Sequence, residues 1–208
     1  MTGIIAQNVG RTSGLIKAAS GGGGVWTKIK TLTASADSDL SFVDGTDDVV
    51  FDSTYPIYVF KFINIKASNR SQSLTFQVDT GTNTSYNIVV TSSGFEAYQN
   101  EAGDSTELRY DTQYDIAQGT GFVQISSELQ NDADSSGSGE LVFYNPSSDT
   151  FVKHWTSTSN NMRFDSHCFQ YHKAGYFNTT TALTRVQFKI NAYTFDGTIK
   201  LYGIKDSA

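Results

Sequence analysis

The sequence predicts an all-β chain folded as an antiparallel β-sandwich, and three observations carry that reading. Short apolar runs recur along 208 residues, turn chemistry separates them, and the composition favours pleated strands. With 2 Pro, 18 Gly, 11 Tyr and 14 Phe among many Thr, Ser and Asn, the chain is rich in residues that fit a half-buried sheet and in those that build polar turns. A chain of this length commonly forms one sandwich or barrel domain.

The first 25 residues stand apart. Ile4, Ile5, Val9, Leu15 and Ile16 are spaced by polar residues, and Gly21 to Gly24 follow. Too little apolar area is present to offset the entropy of ordering this stretch by itself. Residues 1–25 therefore read as an arm with a Gly-rich hinge, and residues 26–208 as the sandwich.

From Trp26 the strands are expected at Trp26–Thr33, Leu40–Val43, Val49–Asp52, Ile57–Ala67, Leu74–Val78 and Ser85–Thr91, then at Ser105–Tyr110, Glu140–Asn145, Phe151–Thr158, Arg163–Tyr171, Gly175–Phe177, Arg185–Ala192 and Thr198–Ile204. Asp44-Gly45, Asp79-Thr80-Gly81 and Ser92-Ser93-Gly94 supply the reversals. Thr112–Gln118 and Phe122–Gln130 depart from this pattern: Phe122, Ile125 and Leu129 are spaced nearer to helical periodicity, which predicts a short helix.

Parity assigns faces. Val186, Phe188 and Ile190 share one side of a strand and Arg185, Gln187 and Lys189 the other, so one side is dry and one wet. In Ile57–Ile65, Tyr58, Phe60 and Phe62 take one face while Ile57, Val59, Ile63 and Ile65 take the other. A sandwich gives such a strand one core only, so the second face predicts cover from a loop, the arm or another subunit.

A formal charge of −6 and a pI near 4.9 disfavour nucleic acid, whose affinity comes from neutralising phosphates. No apolar window approaches the roughly 20 residues that span a bilayer, and the start lacks the pattern of a signal peptide, so cytosolic synthesis is expected. The single cysteine, Cys168, leaves no internal disulfide and fits a reducing compartment.

Chemistry-bearing motifs are sparse. His154, His167 and His172 lack the spacing of a zinc site: His167 and Cys168 point to opposite faces of a strand, and Cys168 and His172 lie about 13 Å apart along one. Asp132-Ala133-Asp134-Ser135-Ser136-Gly137 resembles the front of a calcium loop, but its twelfth position is Phe143 where a bidentate Glu belongs. Asp44–Asp48 and Asp79–Asn83 read as acid-rich turns. No nucleophile elbow or phosphate loop is present. A pair of carboxylates for glycoside hydrolysis is defined by spatial separation, which spacing in sequence does not give. Tyr55, Tyr98, Tyr114 and Tyr193 are candidate platforms for sugar rings. The chain is expected to be a non-enzyme with no cofactor and no catalytic or metal residues.

Several segments carry a resemblance. Gly175-Tyr176-Phe177-Asn178-Thr179-Thr180, Val186-Gln187-Phe188-Lys189, Gly197-Thr198-Ile199-Lys200-Leu201-Tyr202-Gly203-Ile204, Leu141–Lys153 with its Phe143-Tyr144-Asn145-Pro146-Ser147-Ser148 turn, and the leader Gly3–Lys17 together resemble virion structural proteins of marine tailed bacteriophages. One departure is visible: Asn191–Asp196 replaces the Ser-Gly-Asn turn expected before the last strand, which bears on the final hairpin.

The resemblance implies a jelly-roll-like sandwich on the particle, assembled in the host cytoplasm. It implies a capsid decoration (cement) or head-fibre role, with a receptor-binding, glycan-binding tail-fibre module as the alternative. The expected partners are other copies of the chain in a homotrimer, a major capsid or other virion protein, and a host glycan. Ile4, Ile5, Leu15 and Ile16 would become interface as the arm crosses a neighbouring subunit, and Arg11 and Lys17 would pair with acidic shell residues.

Overall fold

The computed structural model describes residues 26–205, and among them the chain forms twelve strands in two antiparallel sheets packed as a sandwich. These are β1 (Trp26–Asp37), β2 (Asp39–Val43), β3 (Ile57–Ala67), β4 (Gln72–Thr80), β5 (Val90–Asn100), β6 (Thr106–Tyr110), β7 (Val123–Leu129), β8 (Gly137–Tyr144), β9 (Lys153–Met162), β10 (His167–Phe177), β11 (Leu183–Ile190) and β12 (Phe195–Ile204). The larger sheet runs β1-β12-β3-β8-β9-β10-β5-β6 and the smaller β2-β11-β4-β7.

The chain changes sheet at nearly every connection, and the exceptions matter. β1 to β4 alternate between sheets, as do β7 with β8 and β11 with β12. The β5–β6, β8–β9 and β9–β10 connections stay in the larger sheet. They extend it past the smaller one, where β7 is the strand that faces β9 and β10.

Aromatic rings fill the space between the layers. Phe76 on β4 lies 5.1 Å from Trp155, 5.7 Å from Phe177 and 5.9 Å from Phe143 by ring centroid, in edge-to-face arrangements that suit ring quadrupoles. Phe188 on β11 packs likewise on Phe60 and Phe42. The parity read for β11 holds: Val186, Phe188 and Ile190 are buried, while Arg185, Gln187 and Lys189 keep partial exposure.

The second apolar face expected of β3 is smaller than its sequence implies. Asn64 has φ 52 and the register slips between Phe62 and Ile65, a bulge that turns Ile65 into the core beside Phe62. Ile57, Val59 and Ile63 remain outside. Val59, flanked by Tyr202 and Val142 in register, is buried, and Ile63 is exposed.

Other expectations are corrected. The helix expected over Phe122–Gln130 is strand β7, whose ladder slips twice against β4 and whose Glu128 has φ 58. Two bulges space its apolar residues unevenly, and this imitates a helical period. The 112–118 stretch holds no helix either; Ile116 and Gly119 bond to the backbone of Ser92 and Val90. Val49–Asp52 is loop: Val49 and Phe51 are buried in the core, and the Phe51 amide donates to Asp44 Oδ1. Ser85–Val89 is not strand, since Tyr86 has φ 47 and donates its amide to Asp79 Oδ2. Ser92-Ser93-Gly94 is no reversal but lies inside β5, and the two runs expected at 163–177 are one strand, β10, preceded by a turn at 163–166. β11 and β12 belong to different sheets, so the final hairpin is a crossover.

Candidate functional site

The extended half of the larger sheet carries the most unusual surface among the described residues. Along β9, β10, β5 and β6 the outward side chains align in rows set by the register. Thr158, His172, Phe95 and Tyr110 form one row, Asn160, Gln170, Ala97 and Leu108 the next, and Met162, Cys168, Gln99 and Thr106 a third. Among the described residues no layer covers this face. Phe95 is 46 % exposed, Tyr110 53 % and Leu108 70 %, although large apolar groups in a sheet ordinarily turn inward.

The pattern on β5 explains why. Glu96 points inward and is buried against Arg109 of β6, whose Nε donates to Glu96 Oε1 at 2.7 Å. Alternation then sends Phe95 and Ala97 outward. Phe95 stacks on His172, with centroids 5.0 Å apart and planes 19° off parallel. Tyr110 donates its hydroxyl to Asp115 at 2.9 Å.

The second and third rows floor a groove of about 710 Å³ bounded by β5, β6, β9 and the turn before β10. Its lining mixes amides (Gln99, Asn100, Asn160, Gln170), Thr106, and the apolar Ala97, Leu108 and Met162. Asn160 Nδ2 donates to the Phe169 carbonyl at 2.9 Å and lies 3.1 Å from Cys168 Sγ. Glu101 and Glu107 stand beside it; Glu107 accepts from the Tyr98 hydroxyl at 2.9 Å and pairs with Arg109. Two shallower depressions continue along the strands, one around Phe95, Tyr110 and His172 and one around Tyr144, His154 and Tyr176. Apolar faces beside fixed amides and hydroxyls suit a neutral hydroxyl-rich ligand or a protein surface.

Of the tyrosines expected from sequence, Tyr98 lines this groove. Ile4, Ile5, Arg11, Leu15, Ile16 and Lys17 fall outside the described residues. Of the four tyrosines expected to meet sugars, Tyr55 is buried against Tyr58 and Gly203, Tyr98 is half-buried under Arg109, Tyr114 sits 5.4 Å from the Lys173 amine, and only Tyr193 is exposed. None belongs to the three outward rows.

The histidines do not converge. His154 and His172 share the outward face two rows apart, while His167 bonds Ser105 and contacts Asp165 at 3.0 Å. Among the described residues no three His, Cys, Asp or Glu side chains gather around one point. The Asp44 and Asp79 turns use their carboxylates on backbone amides, as turn chemistry predicts. Asp165 is different: the Arg163 guanidinium, with lesser help from His167, holds its carboxyl down at about 2.

One buried cation is structural. Lys153 is fully buried, and its Nζ donates to the carbonyls of Ser148 (2.5 Å), Phe151 (2.7 Å) and Thr180 (3.1 Å). It ties the loop before β9 to the one after β10. Burial pulls its pKa below the usual lysine range.

The outward cluster of Phe95, Leu108 and Tyr110 was missed by sequence reasoning. The available signal was the pairing of an inward Glu96 with Arg109 one strand away, which only the β5–β6 register reveals. The chain matches no known family model, no curated protein and no solved structure.

Proposed function

We propose that this chain is a non-catalytic structural module of a tailed-bacteriophage particle, a capsid decoration or head-fibre component, held by its arm and presenting the outward face of β9, β10, β5 and β6 as its contact surface. One observation carries the division of labour. β1, where the arm enters, and β6 are the opposite edges of the larger sheet, about 34 Å apart for eight strands at the usual spacing. Attachment at one edge leaves the exposed face and its groove free at the other.

The topology supports the jelly-roll reading. Set aside the β5–β6 and β9–β10 hairpins, and eight strands remain in two sheets of four, β1-β12-β3-β8 over β2-β11-β4-β7, with successive strands switching layers except β4 and β7, which pair within the smaller sheet. The resemblance of Gly175–Thr180, Val186–Lys189, Gly197–Ile204 and the leader to phage virion proteins supports placement on a particle. Deleting residues 1–20 is expected to abolish attachment to the shell while the sandwich still folds; retained attachment contradicts the arm's role.

A receptor-binding module on a fibre is the second reading, favoured by the amide and aromatic lining of the groove. A decoration protein is present in hundreds of copies per particle and a fibre in few. Gel densitometry of purified virions separates the two.

A further inference from the structure

The inner side of the extended half-sheet holds a buried amine against a buried carboxylate. Lys173 on β10, Gly94 on β5 and Asp111 just after β6 occupy one row: Lys173 pairs with Gly94 in register, and the Asp111 amide donates to the Gly94 carbonyl at 3.0 Å. Lys173 crosses β5 to reach Asp111, with Nζ 2.7 Å from Oδ2 and side-chain exposures of 3 % and 6 %. Glycine makes the crossing possible, since a Cβ at Gly94 would lie 2.7 Å from Lys173 Cγ and 2.9 Å from the His172 carbonyl oxygen.

Three neighbours complete the site. Gln124 Oε1 accepts from the amine at 3.2 Å, and the Tyr114 and Tyr171 rings lie 5.4 and 6.0 Å from it. Glu96, the next inward residue of β5, is buried and near enough for its charge to act on Lys173. Arg109 engages Glu96 through Oε1.

We infer that Lys173 and Asp111 are a modification site, at which the folded chain joins them through an amide bond between Nζ and Cγ. An ion pair removed from water gains by moving its proton from the ammonium to the carboxylate, giving a neutral amine and a carboxylic acid. Burial pulls the Lys173 pKa down against the opposing pull of Asp111, which favours the nucleophilic form. The Nζ lone pair attacks Cγ. Nζ then passes a proton to the Oδ2 hydroxyl, which stands 2.7 Å from it in the ion pair; the Cγ–Oδ2 bond breaks and water leaves. Nothing is oxidised or reduced. Fixed proximity replaces an activated acyl donor.

The bond would matter where the fold is weakest. β6 is a five-residue edge strand bonded only to β5, and the amide would staple the chain after it to β10 across β5, closing a span of 62 residues.

Intact mass of the purified, folded full chain tests this. The expected mass is one water below that of the linear chain, with a protease digest yielding a branched peptide that joins Lys173 to Asp111, and with Lys173→Met and Asp111→Ala at the full linear mass. A folded wild-type chain at the full mass of the linear chain overturns the inference, as does a missing water mapped to a peptide without Lys173, such as a succinimide at Asp44-Gly45. The wild-type chain decides even where a variant fails to fold.

The loop between β7 and β8 carries a second, independent inference. Gln130, Ser135 and Asn161 are each at most 2 % exposed, and Gln130 Oε1, Asp132 Oδ2, Ser135 Oγ and Asn161 Oδ1 have no hydrogen-bond donor. Gln130 and Asn161 both donate to the Glu128 carbonyl, at 2.9 and 3.1 Å, which sets their side-chain amides beside one another. Arg70 takes only Oδ1 of Asp132. The geometry points to a calcium site in which these oxygens are ligands, since calcium accepts many oxygens in flexible arrangements. Calcium added to the full chain is expected to raise its melting temperature, and a chelator to reverse the rise, with magnesium weaker. The same melting temperature in calcium and in chelator overturns it.

Discussion

Phe95 stacks on His172 across the outward side of β5 and β10, with ring centroids 5.0 Å apart and no described strand packed over them. In a sheet that buries most of its aromatic residues, this pair and its neighbours Tyr110 and Leu108 are apolar area left in water, which contributes nothing to folding and is available for binding. Replacing Phe95 or Leu108 by Ser is therefore expected to change folding stability by no more than about 0.5 kcal/mol. Binding of the chain to its partner surface should fall by an order of magnitude. Denaturant melts beside a virion pull-down check both; a large loss of stability shows that the face is core.

Gly175 is expected to tolerate no side chain. A Cβ there would stand 2.4 Å from the Thr91 carbonyl oxygen and 2.7 Å from Trp155 Cζ2. Both obstacles are fixed in the sheet. Gly175→Ala should destabilise by about 1–3 kcal/mol, read as a shift in urea midpoint at unchanged slope. An unshifted midpoint shows that β5 and β10 sit further apart than described here.

Lys153→Met keeps the side chain's length and removes the donor to three carbonyls. The cost should be about 3 kcal/mol or more, because buried acceptors left without donors lose their hydration without return. Its pH dependence has a definite sign. The folded pKa lies below the unfolded value of 10.5, so between the two the unfolded chain holds more protons and stability rises with pH. A wild-type stability that rises towards that value, against a flatter profile in Lys153→Met, is the expected result.

Asp165 should stay ionised unusually far into acid. The contribution of its pair with Arg163 is present above the ordinary value of 3.8 and is lost as pH falls through about 2. In Arg163→Ala the carboxyl should titrate nearer 3.8, measured by carboxyl NMR chemical shifts. An unmoved midpoint shows that the guanidinium is not the cause.

Legibility in the sequence followed the regularity of the strands. β11 was readable because Val186, Phe188 and Ile190 alternate without interruption against one dry face. β3 was readable as a strand, but the bulge at Asn64 was not visible in its residues, so Ile65 was assigned to the wrong side. β7 failed for the same reason twice over. Val49 and Phe51 show the opposite error: alternation that reflects burial of a loop, with no ladder behind it. The candidate face was hidden because its signal is an inversion, Glu96 in and Phe95 out, and its meaning depends on Arg109 one strand away. The crossing of Lys173 over Gly94 was hidden more deeply, since Ser92-Ser93-Gly94 has the composition of a turn and the glycine serves a side chain 79 positions on.

The central claim is that this sandwich is a particle component that binds with the far edge of its larger sheet. Quantifying the chain in purified virions by gel densitometry tests it most directly. The account predicts a stoichiometric band that persists through particle purification and disappears when residues 1–20 are removed. Absence of the chain from intact virions, with turnover of a polysaccharide by the free protein at the groove beside Glu101 and Glu107, would contradict it.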